Sequence, residues 1–114
     1  MDEVYAAAYR ARPGGGWAVQ VAPALLTLEA LVARWHAEPP RRIAGSAIAA
    51  FGDRLPLGEA ALHPGETDRA AALLRLARRA WAEGAAVDPA LALPVYLRDK
   101  VALTSAERAA KAAA

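Results

Sequence analysis

The most chemically varied stretch of the sequence lies near its end, where residues 94–101 read PVYLRDKV. Tyr96 carries a large amphipathic ring, Leu97 a branched aliphatic group and Arg98 a planar fork of hydrogen-bond donors. A guanidinium of this kind can bind a carboxylate or backbone carbonyls. We interpret Pro94 to Leu97 as an extended segment that is locked onto the sheet or the helices. We interpret Arg98 as its anchor rather than as a catalytic arginine.

No other group of residues forms a recognisable reactive centre. The sequence has no cysteine, and its two histidines, His36 and His63, are isolated, whereas protein metal sites need clustered ligands. A serine nucleophile needs a base, and neither Ser46 nor Ser105 has a partner that the sequence makes evident. We therefore expect no catalytic residue, no metal and no cofactor, and we expect that the chain is not an enzyme.

Two glycine patterns could belong to ligand sites. The three glycines at 14–16 could mark a phosphate-binding loop, but no helix follows them and no Lys-Ser/Thr pair is present, so a hairpin turn is favoured. Gly45-Ser46 follows a predicted strand, and strand ends often bind ligands. The simpler interpretation is a tight turn that needs a residue without a Cβ atom.

Arginine is the main basic residue, and it outnumbers lysine 12 to 2 in a chain of net charge +2. Arg69, Arg75, Arg78 and Arg79 fall in one predicted helix and could contact nucleic acid. No aromatic platform is interleaved with them, so a solvated helix face is favoured. The composition as a whole indicates no strongly basic nucleic-acid surface.

Length and composition are typical of a single small domain. A chain of 114 residues suits one core, and although 56% of the residues are apolar, many of these are alanine, which buries little area. No apolar run approaches the roughly 20 residues that cross a bilayer, and the acidic start MDEVY is unlike a signal peptide. We expect a cytoplasmic protein with no membrane association.

The first half of the chain predicts a hairpin, a helix and a third strand. Residues 4–10 and 17–21 alternate as strands around a Pro/Gly turn at 12–16. Thr27 can cap a helix whose apolar residues recur at helical spacing, and Pro39-Pro40 ends it. Residues 41–46 predict a third strand that places Ile43 in one sheet with the hairpin. A short helical turn at 47–51 and a loop at 52–66 follow.

The second half predicts a long helix and a helical tail. The helix spans residues 67–83, with Thr67 as its cap and Gly84 as its stop, and Thr104 and Glu107 form a capping box for the tail. The buried stripe of the long helix comprises Ala70, Leu73, Leu74, Ala77 and Trp81. The large residues expected in the core are Val4, Tyr9, Trp17, Val19, Leu28, Leu31, Trp35, Ile43, Phe51, Leu73, Leu74, Trp81, Val95 and Leu97.

Two segments resemble the TsaB (YeaZ) family. Residues 1–9, MDEVYAAAY, resemble the start of that family's C-terminal domain, and residues 94–102, PVYLRDKVA, resemble its closing segment. Between them, residues 25–31 and 43–47 occupy the positions of a strand-to-helix step and a Gly-containing turn. The residues that carry the resemblance are Glu3, Val4, Tyr5, Gly45, Pro94, Tyr96, Leu97 and Arg98.

The resemblance implies an α/β fold, the C-terminal lobe of an actin-like ATPase or RNase H-like architecture, with the N-terminal lobe absent. In this lobe a short β-hairpin and one further strand are covered by two long helices and a C-terminal helix. Residues 1–102 would form a single domain and residues 103–114 an alanine-rich helical tail. The resemblance assigns no catalytic residue to this chain.

The function that the resemblance implies is non-catalytic. TsaB-type proteins support a TsaD-type catalytic partner in making threonylcarbamoyladenosine in tRNA, TsaE-type proteins join them, and pairing is mainly through the N-terminal lobe. The main hypothesis is therefore a scaffold subunit that reaches tRNA only through the complex. The alternatives are a glycoprotease-like hydrolase and a small basic tRNA-binding module. Because a missing lobe would expose apolar surface, we also expect the isolated chain to self-associate.

Overall fold

A long antiparallel hairpin and the helix that follows it contain most of the core. The computed structural model describes residues 2–65 and 68–98, and none of the helices in these ranges has the length and apolar content to cross a membrane. The strands and helices are β1 (Glu3–Ala11), β2 (Trp17–Thr27), α1 (Leu28–Ala37), β3 (Arg42–Ala44), α2 (Ala47–Phe51), β4 (Ala61–His63) and α3 (Arg69–Ala82), with short 3₁₀ turns at Gly52–Arg54 and Pro89–Leu91.

The glycines at 14–16 form the turn of the hairpin, as favoured from the sequence. The Gly15 amide donates to the Arg12 carbonyl and the Arg12 amide donates to the Gly16 carbonyl, both at 3.0 Å. Gly14, Gly15 and Gly16 have φ angles of 74°, 94° and 78°, a left-handed region that strongly favours glycine. The turn therefore depends on backbone conformations that other residues rarely adopt.

Strand β2 continues six residues beyond the predicted end at Val21. The pairing runs from Ala11 opposite Trp17 to Glu3 opposite Thr27, with register shifts between Ala6 and Ala8 and between Ala8 and Tyr9. Pro23 lies opposite the first of these shifts, where the missing amide proton costs the ladder no regular hydrogen bond. The irregular pairing thus allows the strand to continue past the proline.

Helix α1 begins where the sequence predicted. The Thr27 hydroxyl accepts a hydrogen bond from the Ala30 amide at 3.2 Å, and Leu28 and Leu31 are buried. Val32 and Trp35, on the same stripe, are partly buried against the core. The predicted cap and apolar stripe are confirmed.

Removing this cap should weaken the fold measurably. Thr27→Ala is expected to lower the free energy of unfolding by about 1 kcal/mol, because the Ala30 amide loses its acceptor. Thr27→Ser keeps the hydroxyl and should cost much less. Urea titration followed by circular dichroism measures both changes. Equal destabilisation by the two substitutions would show that the methyl group, not the hydrogen bond, matters at this position.

The third strand does not join the hairpin, so the single predicted sheet is wrong. Strand β3 pairs in parallel with β4, and Ile43 lies opposite Leu62 in a separate two-stranded sheet. The Gly45 amide extends the pairing by donating to the His63 carbonyl at 3.0 Å. Strand β4 lies within the predicted loop at 52–66, and its three residues are too few to show a periodic pattern. The α2 turn predicted at 47–51 is confirmed.

The core is small and centres on the end of the hairpin that lies away from the turn. Val4, Leu28, Leu31 and Leu55 form one buried cluster, and Ile43 and Ile48 are also buried. Leu55 was not expected, because it follows a 3₁₀ turn in a segment that predicted a loop. Phe51 and Trp35 pack against the cluster from its edge. Seven residues expected in the core are instead more than half exposed, namely Tyr9, Trp17, Val19, Leu73, Leu74, Trp81 and Val95.

Helix α3 departs from its prediction at both its start and its apolar stripe. Its N-cap is Asp68, whose Oδ1 accepts from the Ala71 amide at 2.9 Å; the predicted cap, Thr67, lies outside the described residues. Gly84, at φ 71°, follows the helix as expected. The stripe predicted to be buried is exposed, with Leu73 at 68% and Trp81 at 77%.

The segment predicted to be locked in place is exposed over most of its length. Val95 and Tyr96 are 77% and 86% exposed, and Leu97 is partly buried. The expectation that Tyr96 packs onto the sheet or helices is therefore wrong. The predicted C-terminal helix lies outside the described residues. The division into residues 1–102 and 103–114 stays a prediction.

Candidate interaction surfaces

The two signature segments meet at the start of the hairpin. The Nη2 atom of Arg98 lies 2.8 Å from Oε2 of Glu3, the first residue of β1. Arg98 thus binds a carboxylate, one of the two kinds of partner expected of it as an anchor. Next to Glu3, Val4 enters the core while Tyr5 is 59% exposed. The structure therefore brings together residues from both ends of the described chain.

A second ion pair holds the residue before Glu3. The Asp2 carboxylate pairs with Arg54, whose guanidinium also lies 5.7 Å from the centroid of the Phe51 ring. The Asp2 carbonyl accepts from the Leu28 amide at 3.0 Å. Both acids at the start of the chain therefore make structural contacts with arginines.

The ion pair between Glu3 and Arg98 should contribute little to global stability. The two side chains are 28% and 48% exposed, and pairs of this kind are typically worth about 0–1 kcal/mol. A double-mutant cycle with Glu3→Gln and Arg98→Gln is expected to give a coupling energy in that range. The coupling should fall at high salt because the charges are screened. A coupling above about 2 kcal/mol, or one that salt leaves unchanged, would contradict this.

One side of α3 presents exposed apolar residues, which we call the α3 apolar face. It consists of Leu73, Leu74 and Trp81, all at least 60% exposed. At 100° per residue these positions share one side of the helix, together with Ala70 and Ala77. No described element covers this side.

The opposite side of α3 faces the hairpin turn across an open cleft of about 380 Å³, which we call the turn cleft. An ideal Cβ atom at Gly15 or Gly16 would lie 2.7 Å from an Arg79 nitrogen, which shows how closely the turn approaches that side chain. The Nε atom of Arg79 also donates to Oε1 of Glu83 at 2.7 Å. The residues that line the cleft are Gly16, Trp17, Ala72, Arg75, Leu76 and Arg79.

The structure divides the four arginines that the sequence grouped together. Arg75 and Arg79 line the turn cleft, whereas Arg69 and Arg78 do not. Trp17 supplies the aromatic side chain that seemed to be missing. No sequence signal could have shown this, because Trp17 lies in β2 and only the tertiary fold places it beside α3.

The remaining candidate residues do not come together as a reactive site. In residues 2–65 and 68–98, no three side chains among His, Asp and Glu lie close enough to hold a metal ion. His36 and His63 are both exposed. Ser46 precedes α2 without making a capping hydrogen bond. Gly45 has a φ of 128°, which supports the tight-turn interpretation of Gly45-Ser46.

Comparison with solved structures identifies a protein that is similar to this chain in fold and sequence. The fold is similar to the crystal structure of an uncharacterized protein with similarity to peptidase YEAZ from Pseudomonas aeruginosa. The TM-score is 0.68, and the two sequences are 35% identical over 86% of this chain. This chain is therefore related to YeaZ-like proteins. The hairpin, the parallel pair of strands and the helices together are consistent with a YeaZ-like fold.

The match spans 45% of the length of that structure, so more than half of the compared protein has no counterpart in the matched region. No protein-family profile and no curated protein matches the sequence. The YeaZ-like relationship therefore rests on the solved structure. The comparison does not show the activity or the partners of a complete protein of this kind.

Proposed function

We propose that this chain is the C-terminal lobe of a TsaB-type scaffold subunit, without catalytic activity of its own. The scaffold would support a TsaD-type partner, with a TsaE-type protein, in making threonylcarbamoyladenosine in tRNA. The observation that carries the proposal is the contact between Glu3 and Arg98. It joins the two segments that resemble the TsaB family, in a chain that is 35% identical to a YeaZ-like protein of known structure.

The α3 apolar face supports a role as one part of a larger assembly. Leu73, Leu74 and Trp81 expose a contiguous apolar surface of the kind that commonly marks a protein contact. In the compared structure, the part outside the matched region is longer than the matched region itself. We propose that the α3 apolar face packs against the rest of such a protein, while pairing with the TsaD-type partner is mainly through that other part.

The test uses the parent protein, by which we mean a two-lobed protein that contains this chain as its C-terminal lobe. The parent protein is co-purified with its cognate TsaD-type protein. We expect a stable complex, and we expect the parent to restore threonylcarbamoyladenosine in tRNA from cells depleted of their TsaB-type protein. The modified nucleoside is quantified by mass spectrometry of digested tRNA. Failure to form the complex together with failure to restore the nucleoside would overturn the proposal.

A matched pair of variants examines the α3 apolar face in the same experiment. Trp81→Gln in the parent protein removes the largest residue of the face, whereas Leu62→Gln removes an exposed leucine on β4. We expect Trp81→Gln to lower the thermal stability of the parent, and Leu62→Gln to have little effect. Equal effects would remove the support that this face gives to the proposal.

A further inference from the structure

The turn cleft combines an exposed aromatic ring with two guanidinium groups. Trp17, at the start of β2, is 55% exposed. Arg75 and Arg79 lie on the side of α3 that faces it, and Ala72 and Leu76 complete an apolar floor. Its volume of about 380 Å³ lies within the range of small-ligand sites in proteins.

The charges in the cleft favour an anion. In the part of the chain that the structure describes, the lining contains two arginines and no carboxylate. Among the described residues, Arg75 makes no ion pair, so its donors are available to a ligand. Arg79 is partly neutralised by Glu83, and its side chain remains 39% exposed. The arginine pair can therefore bind an anionic group, with Arg75 as the stronger contributor.

The hairpin turn lies directly against the Arg79 guanidinium, which a ligand can reach from the open side of the cleft. Gly15 and Gly16 have no side chain, and a Cβ atom at either position would meet the guanidinium at 2.7 Å. A side chain there would displace Arg79 or screen it from a ligand. The glycines therefore serve two purposes, since they permit the left-handed turn and allow the Arg79 guanidinium to lie against it at the edge of the cleft.

We propose that the turn cleft binds a nucleotide, with its base stacked on Trp17 and its phosphate held by Arg75 and Arg79. A flat, exposed indole ring next to guanidinium groups is the arrangement with which proteins bind single nucleotide units, because each base has a π-face and each phosphate carries charge. A purely acidic peptide would use the arginines and leave the indole ring without a planar partner. The proposal does not depend on the scaffold function.

Isothermal titration of the 114-residue chain with AMP tests the proposal. Adenosine and inorganic phosphate serve as partial ligands, and a short single-stranded oligo(A) RNA serves as an extended one. We expect AMP to bind more tightly than either partial ligand, and its affinity to fall as salt is raised. Tighter binding of the RNA would support a polynucleotide as the source of the nucleotide, and equal binding would support a free nucleotide.

Three variants locate the binding. Trp17→Leu removes the stacking surface and Arg75→Gln removes the unpaired guanidinium, and each should weaken AMP binding about tenfold or more. Arg78→Gln removes one charge from the same helix outside the cleft and should leave the affinity within about twofold. Circular dichroism checks that each variant remains folded, which is expected because all three side chains are exposed.

Absence of AMP and RNA binding would overturn the proposal. So would equal losses in Arg75→Gln and Arg78→Gln, since these would indicate only a general charge effect. Tighter binding of an Asp/Glu-rich peptide than of AMP would show that the cleft is instead a site for acidic peptides, and would also overturn it. None of these outcomes bears on complex formation with a TsaD-type protein.

Discussion

Replacing Leu31 by alanine should lower the free energy of unfolding by about 2–5 kcal/mol. Leu31 is only 2% exposed and belongs to a cluster of four buried residues with Val4, Leu28 and Leu55. The substitution removes buried methyl groups from the centre of this cluster. A small domain has a low total stability, so a loss of this size is expected to unfold a large fraction of the molecules at 25 °C.

The matched control is Leu73→Ala, the same substitution at a site that is 68% exposed. This change should alter the free energy of unfolding by no more than about 0.5 kcal/mol, because it removes few internal contacts. Urea titrations of the two variants and the unmodified chain measure the difference. Similar unfolding midpoints for the two variants would show that the core is not centred on Leu31.

Removing the apolar residues of α3 should suppress self-association of the isolated chain. We expect the 114-residue chain to associate as its concentration rises, because no described element covers the α3 apolar face and a second molecule can bury it. Leu73→Gln combined with Trp81→Gln should weaken this association at least about tenfold. Glutamine keeps good helix propensity and leaves the net charge unchanged, so folding and long-range electrostatics stay nearly constant.

Sedimentation velocity over a range of concentrations measures this association. Leu62→Gln is the control, because Leu62 is 42% exposed on β4 and lies outside the α3 apolar face. This control should associate like the unmodified chain. A chain that remains monomeric at millimolar concentration would contradict the expectation, as would equal suppression by the control.

Local signals in the sequence were sufficient for the hairpin turn and for the start of α1. The Pro/Gly turn and the Thr27 cap each act within a few residues, so the printed sequence contains all of their determinants. Strand β4 could not be predicted in this way. It exists because the edge of β3 offers hydrogen-bond partners, and a three-residue strand has no pattern of its own.

The apolar stripe of α3 shows a different limit. Its spacing predicted an amphipathic helix, and the helix exists, but periodicity reveals only which side is apolar and not what covers that side. In the described chain, the side that carries Arg75 and Arg79 faces the hairpin instead. Leu73 and Trp81 therefore stay exposed unless a surface outside the described residues covers them.

The candidate sites, too, could be predicted only in part from the sequence. The sequence predicted a carboxylate or backbone carbonyls as the partner of Arg98, and only the three-dimensional structure identifies this partner as Glu3. The turn cleft could not be predicted, because Trp17 and Arg75 are far apart in sequence and neither lies in a recognisable motif. Arg75 and Arg78 differ in their surroundings only because α3 has a particular rotation relative to the hairpin.

The contact between Glu3 and Arg98 has a consequence for the order of folding. Ninety-five residues separate the two partners, and the length-dependent entropy of closing such a loop is about 4 kcal/mol. An exposed ion pair worth about 0–1 kcal/mol cannot offset that cost. The contact therefore forms only after the hairpin and α1 have brought the two segments near each other. Arg98→Gln should accordingly leave the folding rate unchanged and appear only as slightly faster unfolding.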